Sequence, residues 1–246
     1  MVYCKWIFVA PASAVQLQPD ATHCGGARRE VRNSTIVVLL LAWATVSACT
    51  HAGSVKVKAA YDVYSNYEDK VPGRWAFSSN GSDFVTDNVE MDSFHCSAHN
   101  FPLDAKQAFE TSALQTFTNL VEDIDLVKNP ISAEKLTASG FKGQIIVNSK
   151  DMKADIAFIP GFFVATAKST VDLTATMQVI GPSGQLIGTT TSDDGKAKSE
   201  AGFACEGGSD AISDAASEAI QRTLGRLGER FSSSDRVRFS SSGRVR

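Results

Sequence analysis

Between residues 171 and 179 the chain alternates without a break: Val171, Leu173, Ala175, Met177 and Val179 are apolar, and Asp172, Thr174, Thr176 and Gln178 between them are polar. Successive side chains of a strand point to opposite faces, so this stretch must lie extended with one face buried and the other in water. Gly181-Pro182-Ser183-Gly184 supplies a turn, and Gln185 to Ser192 returns as a Thr-rich partner strand. Two helical stretches flank this hairpin. Phe109, Ala113, Thr116/Phe117, Leu120 and Ile124 recur at three- and four-residue steps, which predicts a helix over 105–125, with Asp104 and Gln107 in the form of a capping box. Ile212, Ala216, Ala219/Ile220, Thr223, Leu227 and Phe231 mark a second buried helical face, with Ser209 or Asp210 as its cap. Gly225 and Gly228 weaken its final turns, each by about 1 kcal/mol against Ala. Tyr61–Tyr64, Arg74–Phe77 before the Asn80-Gly81 turn, Phe84-Val85, Lys142–Ser149 and Ala154–Ile159 read as further strands, the last closed by Pro160-Gly161. The order implies an α+β fold, an antiparallel sheet with two helices packed on one face.

The other informative stretch lies upstream. Arg28, Arg29 and Arg32 precede the uncharged run Ile36 to Thr45, which ends in Val46-Ser47-Ala48-Cys49. A basic region, an apolar core shorter than the roughly 20 residues of a membrane span, and a small-residue site make an export signal. The run resembles the signal peptide of a bacterial lipoprotein, with Val46, Ser47, Ala48 and Cys49 as the lipobox. That resemblance implies cleavage between Ala48 and Cys49, a diacylglycerol on the Cys49 sulfur and attachment to a membrane through two or three acyl chains. Residues 31–48 are then the signal peptide and residues 49–60 a mobile tether. Residues 1–30 read as an extension upstream of the natural start, which a GTG codon at Val31 would provide; a long basic region is the alternative. Thr50, not Asp, follows the lipidated position, which resembles an outer-membrane address facing the periplasm.

From Cys49 to Arg246 there remain 198 residues, enough for one domain, here placed at 61–231. The formal net charge of −3 and the lack of an aromatic and basic stretch exclude a typical nucleic-acid binder. Of the five cysteines, Cys4 and Cys24 lie before the cut and Cys49 takes the lipid. Cys96 and Cys205 are left, and in an oxidising compartment such a pair is expected to form a disulfide. The tail 232–246 repeats itself, Ser232-Ser233-Ser234-Asp235-Arg236-Val237-Arg238 against Ser240-Ser241-Ser242-Gly243-Arg244-Val245-Arg246, and its composition predicts disorder.

Catalytic signals are sparse. His95, Cys96 and His99 place three soft or borderline metal ligands within five residues, yet a closed site needs a fourth ligand and a bridged Cys96 donates no thiolate. Glu122 and Asp123 read as the wet face of a helix end, and the chain has neither a GxxxxGK[ST] loop nor a GxSxG elbow. The second half of the mature chain is similar to small envelope lipoproteins of the YajG type and, more distantly, to assembly lipoproteins of lipopolysaccharide and exopolysaccharide export. The expectation is a non-enzymatic, cofactor-free accessory or scaffold of the cell envelope, with a membrane and an envelope protein as partners. The rivals are a binder of small lipids or glycans in a cavity and a metal-dependent enzyme at His95 and His99. An exposed apolar patch favours the first, an enclosed pocket the second, converging imidazoles the third.

Overall fold

The long alternating run folds as the sequence pattern requires, and it extends further in both directions. The computed structural model describes residues 51–52, 55–60, 70–92, 96–97, 99–202, 205 and 207–242, all within one unit that spans Thr50–Arg246. Three long strands form its backbone: β8 (Gly143–Ile159), β9 (Ala165–Gly181) and β10 (Gly184–Ala201). They pair antiparallel, and Gly184, at φ +120°, completes the turn around Pro182 and Ser183. At about 3.3 Å per residue each strand is roughly 55 Å long. The two strands expected over 142–149 and 154–159 are thus one, kinked at Lys150, where the register shifts between Ser149 and Asp151.

The sheet continues through β2 (Val71–Asn80) to β7 (Val121–Leu126). β2 runs parallel to both β7 and β8, so the sheet is mixed and not antiparallel throughout. The cause is the route between them: helix α1 (Lys106–Leu120) carries the chain from β2 back to the start of a parallel neighbour. That helix stops five residues before the sequence predicts. At Val121 the backbone turns extended, and Val121 and Ile124 take places in a strand beside β2. Glu122 and Asp123 therefore belong to a sheet edge, not a helix; Glu122 accepts from the Gly73 N–H at 2.8 Å, and Asp123 and Asp125 flank Arg74.

Short pieces complete the chain: β1 (His51–Ala52), β3 (Val85–Thr86), β4 (Glu90–Met91), β5 (His99–Asn100), β6 (Leu103–Asp104) and helix α2 (Ala133–Ala138). Helix α3 (Gly208–Ser232) packs beside α1 on the sheet face formed by Val171, Leu173, Ala175, Met177 and Val179. Trp75, Phe77, Phe117 and Phe231 meet at ring distances of 5.5 to 5.6 Å and fill the space between both helices and β2. On the opposite face Ala76, Leu136 and Phe141 form a small second cluster. Gly207 occupies the cap position of α3, ahead of Ser209 and Asp210. Ala105, not Asp104, occupies the cap position of α1; Asp104, one residue earlier, accepts from the Lys106 N–H at 3.0 Å.

Two segments expected to be loose are folded. Residues 55–60, placed in a tether, lie along the helices: Ser213 Oγ donates to the Lys56 carbonyl at 2.6 Å, Ser217 Oγ to that of Lys58, and Ala60 N–H to Ser112 Oγ. Val55 and Val57 turn toward the core while Lys56 and Lys58 face water, a two-residue alternation that composition alone conceals. The Ser/Arg tail, expected to be disordered, forms helix α4 (Asp235–Ser242). Val237 is fully buried and Arg238 Nε donates to the Ser232 carbonyl at 2.9 Å, so one apolar residue and one charged hydrogen bond hold a helix that averages over composition miss.

Candidate functional site

The residues that stand out are at the far end of the β8–β9 hairpin. Five uncharged residues, Pro160 to Val164, join the two strands. Pro160 cannot extend the ladder, and a side chain at Gly161 would overlap the Val164 carbonyl, so only glycine closes this loop. Phe162 and Phe163 are 93% and 82% exposed, packed edge to face on each other at 4.6 Å and otherwise bare. Ile159 and Val164 extend the patch at 52% and 47% exposure. Scattered exposed apolar residues are ordinary, but four together at a loop tip form a contiguous patch.

Beside the loop opens a pocket of about 390 Å³, lined by Phe158, Phe163, Ala165, Ala201 and the two cysteines Cys96 and Cys205. The structure joins Cys96 and Cys205 in a disulfide with Cα atoms 6.2 Å apart. Both have left-handed backbones, φ 68° and 57°, a region that costs non-glycine residues about 1–2 kcal/mol each. Each sits in a tight turn: His99 N–H donates to the Cys96 carbonyl at 2.8 Å, and Gly208 N–H to that of Cys205 at 3.1 Å. The bridge thereby clamps the β5 segment to the start of α3. His99 stacks on Phe101 at 6.2 Å, and Phe101 stacks on Phe158 at 6.1 Å. β1 joins this end too, since His51 and Ala52 pair with His99 and Asn100.

Of the residues singled out from sequence, Ala48, Cys49 and His95 lie outside the described residues. His99 stacks on an aromatic ring, and Cys96, spent in its disulfide, offers no thiolate beside it. Among the described residues no three His, Cys, Asp or Glu converge, and no helix is long and apolar enough to cross a membrane. Sequence reasoning missed the Phe162-Phe163 pair. The available signal was an apolar run of six, Ile159 to Val164, placed where turn residues should be polar.

Two carboxylates with raised pKa lie elsewhere, one buried and one half-buried. Asp193, 7% exposed on the helix-facing side of β10, has its carboxyl pushed up by burial although Arg226, 2.9 Å away, and Arg222 pull it down. Asp155 on β8 is raised by burial and then by Asp92, Asp172 and Glu90 around it, against the pull of Lys168. Neither faces the pocket beside Phe162. Charged side chains of α3 also reach the backbone of β10. Arg222 Nη1 donates to the Asp194 carbonyl at 3.0 Å, Arg230 Nη1 to the Thr190 carbonyl at 3.2 Å, and Lys196 N–H donates to Glu218 at 2.8 Å. These side chains stand at multiples of four residues along α3 and close the backbone of β10, an outermost strand of the sheet.

No family model matches the chain, and no curated protein matches it in sequence. Among solved structures it is similar to a Xanthomonas campestris protein of family model DUF330, with 8% identity and a TM-score of 0.43 over 74% of this chain and 94% of that one. A neuraminyllactose-binding hemagglutinin homolog from Helicobacter pylori follows at 11% identity and 0.42, covering 76% and 97%. A hypothetical protein from Chlamydia trachomatis has 9% identity and 0.36, covering 66% and 99%. At these scores the likeness carries no functional assignment.

Proposed function

We propose that the chain is a lipid-anchored lipoprotein of the cell envelope, cleaved after Ala48, acylated at Cys49, and acting as a non-enzymatic accessory or scaffold in envelope assembly or transport. The observation that carries this reading is the bare apolar tip at Ile159 and Phe162–Val164, exposed at the same end of the sheet as the short strand that begins two residues after Cys49. The Cys96–Cys205 bridge suits an oxidising compartment outside the cytoplasm. A pocket of about 390 Å³ lies near the lower end of the roughly 300–1,000 Å³ typical of ligand sites. Phe162 and Phe163 are themselves part of its lining, so the tip and the pocket form one surface.

The test is metabolic labelling with palmitate in a bacterial host, followed by mass spectrometry of the membrane-extracted protein. Label on a chain that begins at Cys49, absent from the Cys49→Ser variant, is the expected result. A soluble, unlabelled chain that retains residues 36–48 overturns the reading. Crosslinking in cells then identifies the envelope partner.

A further inference from the structure

We propose that Phe162 and Phe163 enter the interfacial layer of the same bilayer that holds Cys49, so that the domain meets the membrane at two points. This rests on the reading of Cys49 as acylated.

The covalent chain sets the first constraint. Only Thr50 separates Cys49 from His51, and two peptide steps reach at most about 7.6 Å between Cα atoms. An acylated Cys49 therefore keeps the bilayer close to β1, and residues 55–60, laid along the helices, offer no slack beyond it. The second constraint is the placement of β1. It pairs with β5, whose His99 ring stacks on Phe101, whose ring in turn stacks on Phe158 in the wall of the pocket beside the loop. Anchor and aromatic tip thus belong to one end of a sheet roughly 55 Å long, while the Pro182-Ser183 turn occupies the other.

The chemistry of the tip fits lipid better than protein. Two bare rings on a five-residue loop offer far less than the roughly 800 Å² per partner of a stable protein interface. They do suit insertion of about 5–10 Å into the boundary between headgroups and acyl chains, where a second contact adds to an existing lipid anchor. Residues 160–164 carry no charge. On the flanking rungs Glu200 lies opposite Thr166, and Lys198 opposite Lys168, so both signs are present and no strong preference for anionic lipid follows.

The experiment uses the full chain, expressed and processed in a bacterial host and reconstituted into phosphatidylcholine–phosphatidylethanolamine vesicles. A nitroxide is attached at Phe162→Cys or, in a second variant, at Ser183→Cys. With Cys49 acylated and Cys96 bridged to Cys205, the label goes to the substituted position. The expected result is that the label at 162 collides readily with dissolved oxygen while collision with an aqueous nickel chelate falls several-fold on reconstitution. The label at 183 stays open to the chelate. A label at 162 that remains equally open to the chelate overturns the proposal, as does embedding of position 183 in its place. Palmitate incorporation, read on the same preparations, separates the two readings. An acylated chain with a wet loop sinks the membrane contact alone, whereas an unacylated chain sinks the anchor; Cys4, Cys24 and Cys49 are then replaced by Ser, so that the label at 162 alone decides the loop.

Discussion

The β10 edge and the β8–β9 tip belong to the same three-stranded ribbon and are treated in opposite ways. Along β10, the last strand on its side of the sheet among the described residues, Glu218, Arg222 and Arg230 reach over from α3 and occupy backbone groups of Lys196, Asp194 and Thr190. An open edge is a template for unwanted pairing, and here it is closed by side chains at multiples of four residues. At the tip the fold leaves Phe162 and Phe163 bare, in the lining of an open apolar pocket. A chain that covers one liability with this many groups and leaves the other open is built to present the second. The contrast rests on the tip being rigidly supported and the edge being independently closed, and each can be disturbed separately.

The largest effect is expected from the support of the tip. The Cys96–Cys205 bridge closes a loop of sequence separation 109, worth about 4 kcal/mol on the chain-entropy model. Cys96→Ala with Cys205→Ala should lower the midpoint of thermal unfolding by about 8–16 °C at this chain size. Hydrogen exchange should rise at residues 99–101 and 159–165 while the amides of β10 beside α3 keep their protection. Equal loss of protection at both places would show that tip and edge form one cooperative unit, and the contrast between them would end.

Next in size is the seam under the edge. Gly195 faces α3 so closely that an added Cβ would stand 2.6 Å from the Ala219 nitrogen and would overlap the Ala215 carbonyl. Ala211, Ala215 and Ala219 keep the opposing helix surface flat. Gly195→Val should cost about 3 kcal/mol by overpacking, read by denaturant titration, and should disrupt the edge clamp without moving the tip. A neutral outcome would mean that α3 does not approach β10 as described.

How the sequence carried this information differs between the two regions. The inner faces of β9 and α3 were legible because burial imposes a period of two or of 3.6, and Val171, Leu173, Ile212 and Ala216 obey it. The clamp was not, since Glu218, Arg222 and Arg230 have the spacing of any wet helical face and only the sheet beside them makes that spacing a closure. The same limit explains Val121–Leu126, where Leu120 and Ile124 continue a helical period by coincidence and pairing with β2 decides the outcome. Composition misled at 55–60 and 235–242, where Val57 and Val237 anchor stretches that read as polar linkers on average. The Phe162-Phe163 pair was visible but has no periodicity, so no rule of burial assigned it a place.

A smaller effect concerns pH. Burial holds the Asp193 carboxyl above the ordinary value of 3.8, despite Arg226 beside it. The folded state then binds that proton more tightly than the unfolded state, so the penalty of the buried charge is fully present at neutral pH and shrinks as pH falls through the raised value toward 3.8. Asp194, exposed and paired with Lys196, is lowered and has the opposite sign: its contribution is present above 3.8 and is lost as pH falls through its lowered value. Asp193→Asn should therefore remove the acid-side gain and flatten stability against pH between neutrality and about 4, as measured by chemical denaturation across that range. A variant whose pH profile superimposes on that of the wild type would show that this carboxyl is solvated and that the edge of β10 is looser than its hydrogen bonds imply.

The smallest expected change is the most informative about the tip. Phe162 and Phe163 touch mainly each other and solvent, so Phe162→Ser with Phe163→Ser should alter unfolding free energy by no more than about 0.5 kcal/mol in detergent-free solution. Removal of two bare rings also lessens the self-association that an apolar patch invites, so the variant should stay monodisperse at higher concentration by light scattering. A loss of more than about 1 kcal/mol would mean that the rings pack onto the pocket beside them as part of the core. They would then belong with the covered surfaces of the molecule, and the tip and the edge would differ only in the means by which each is closed.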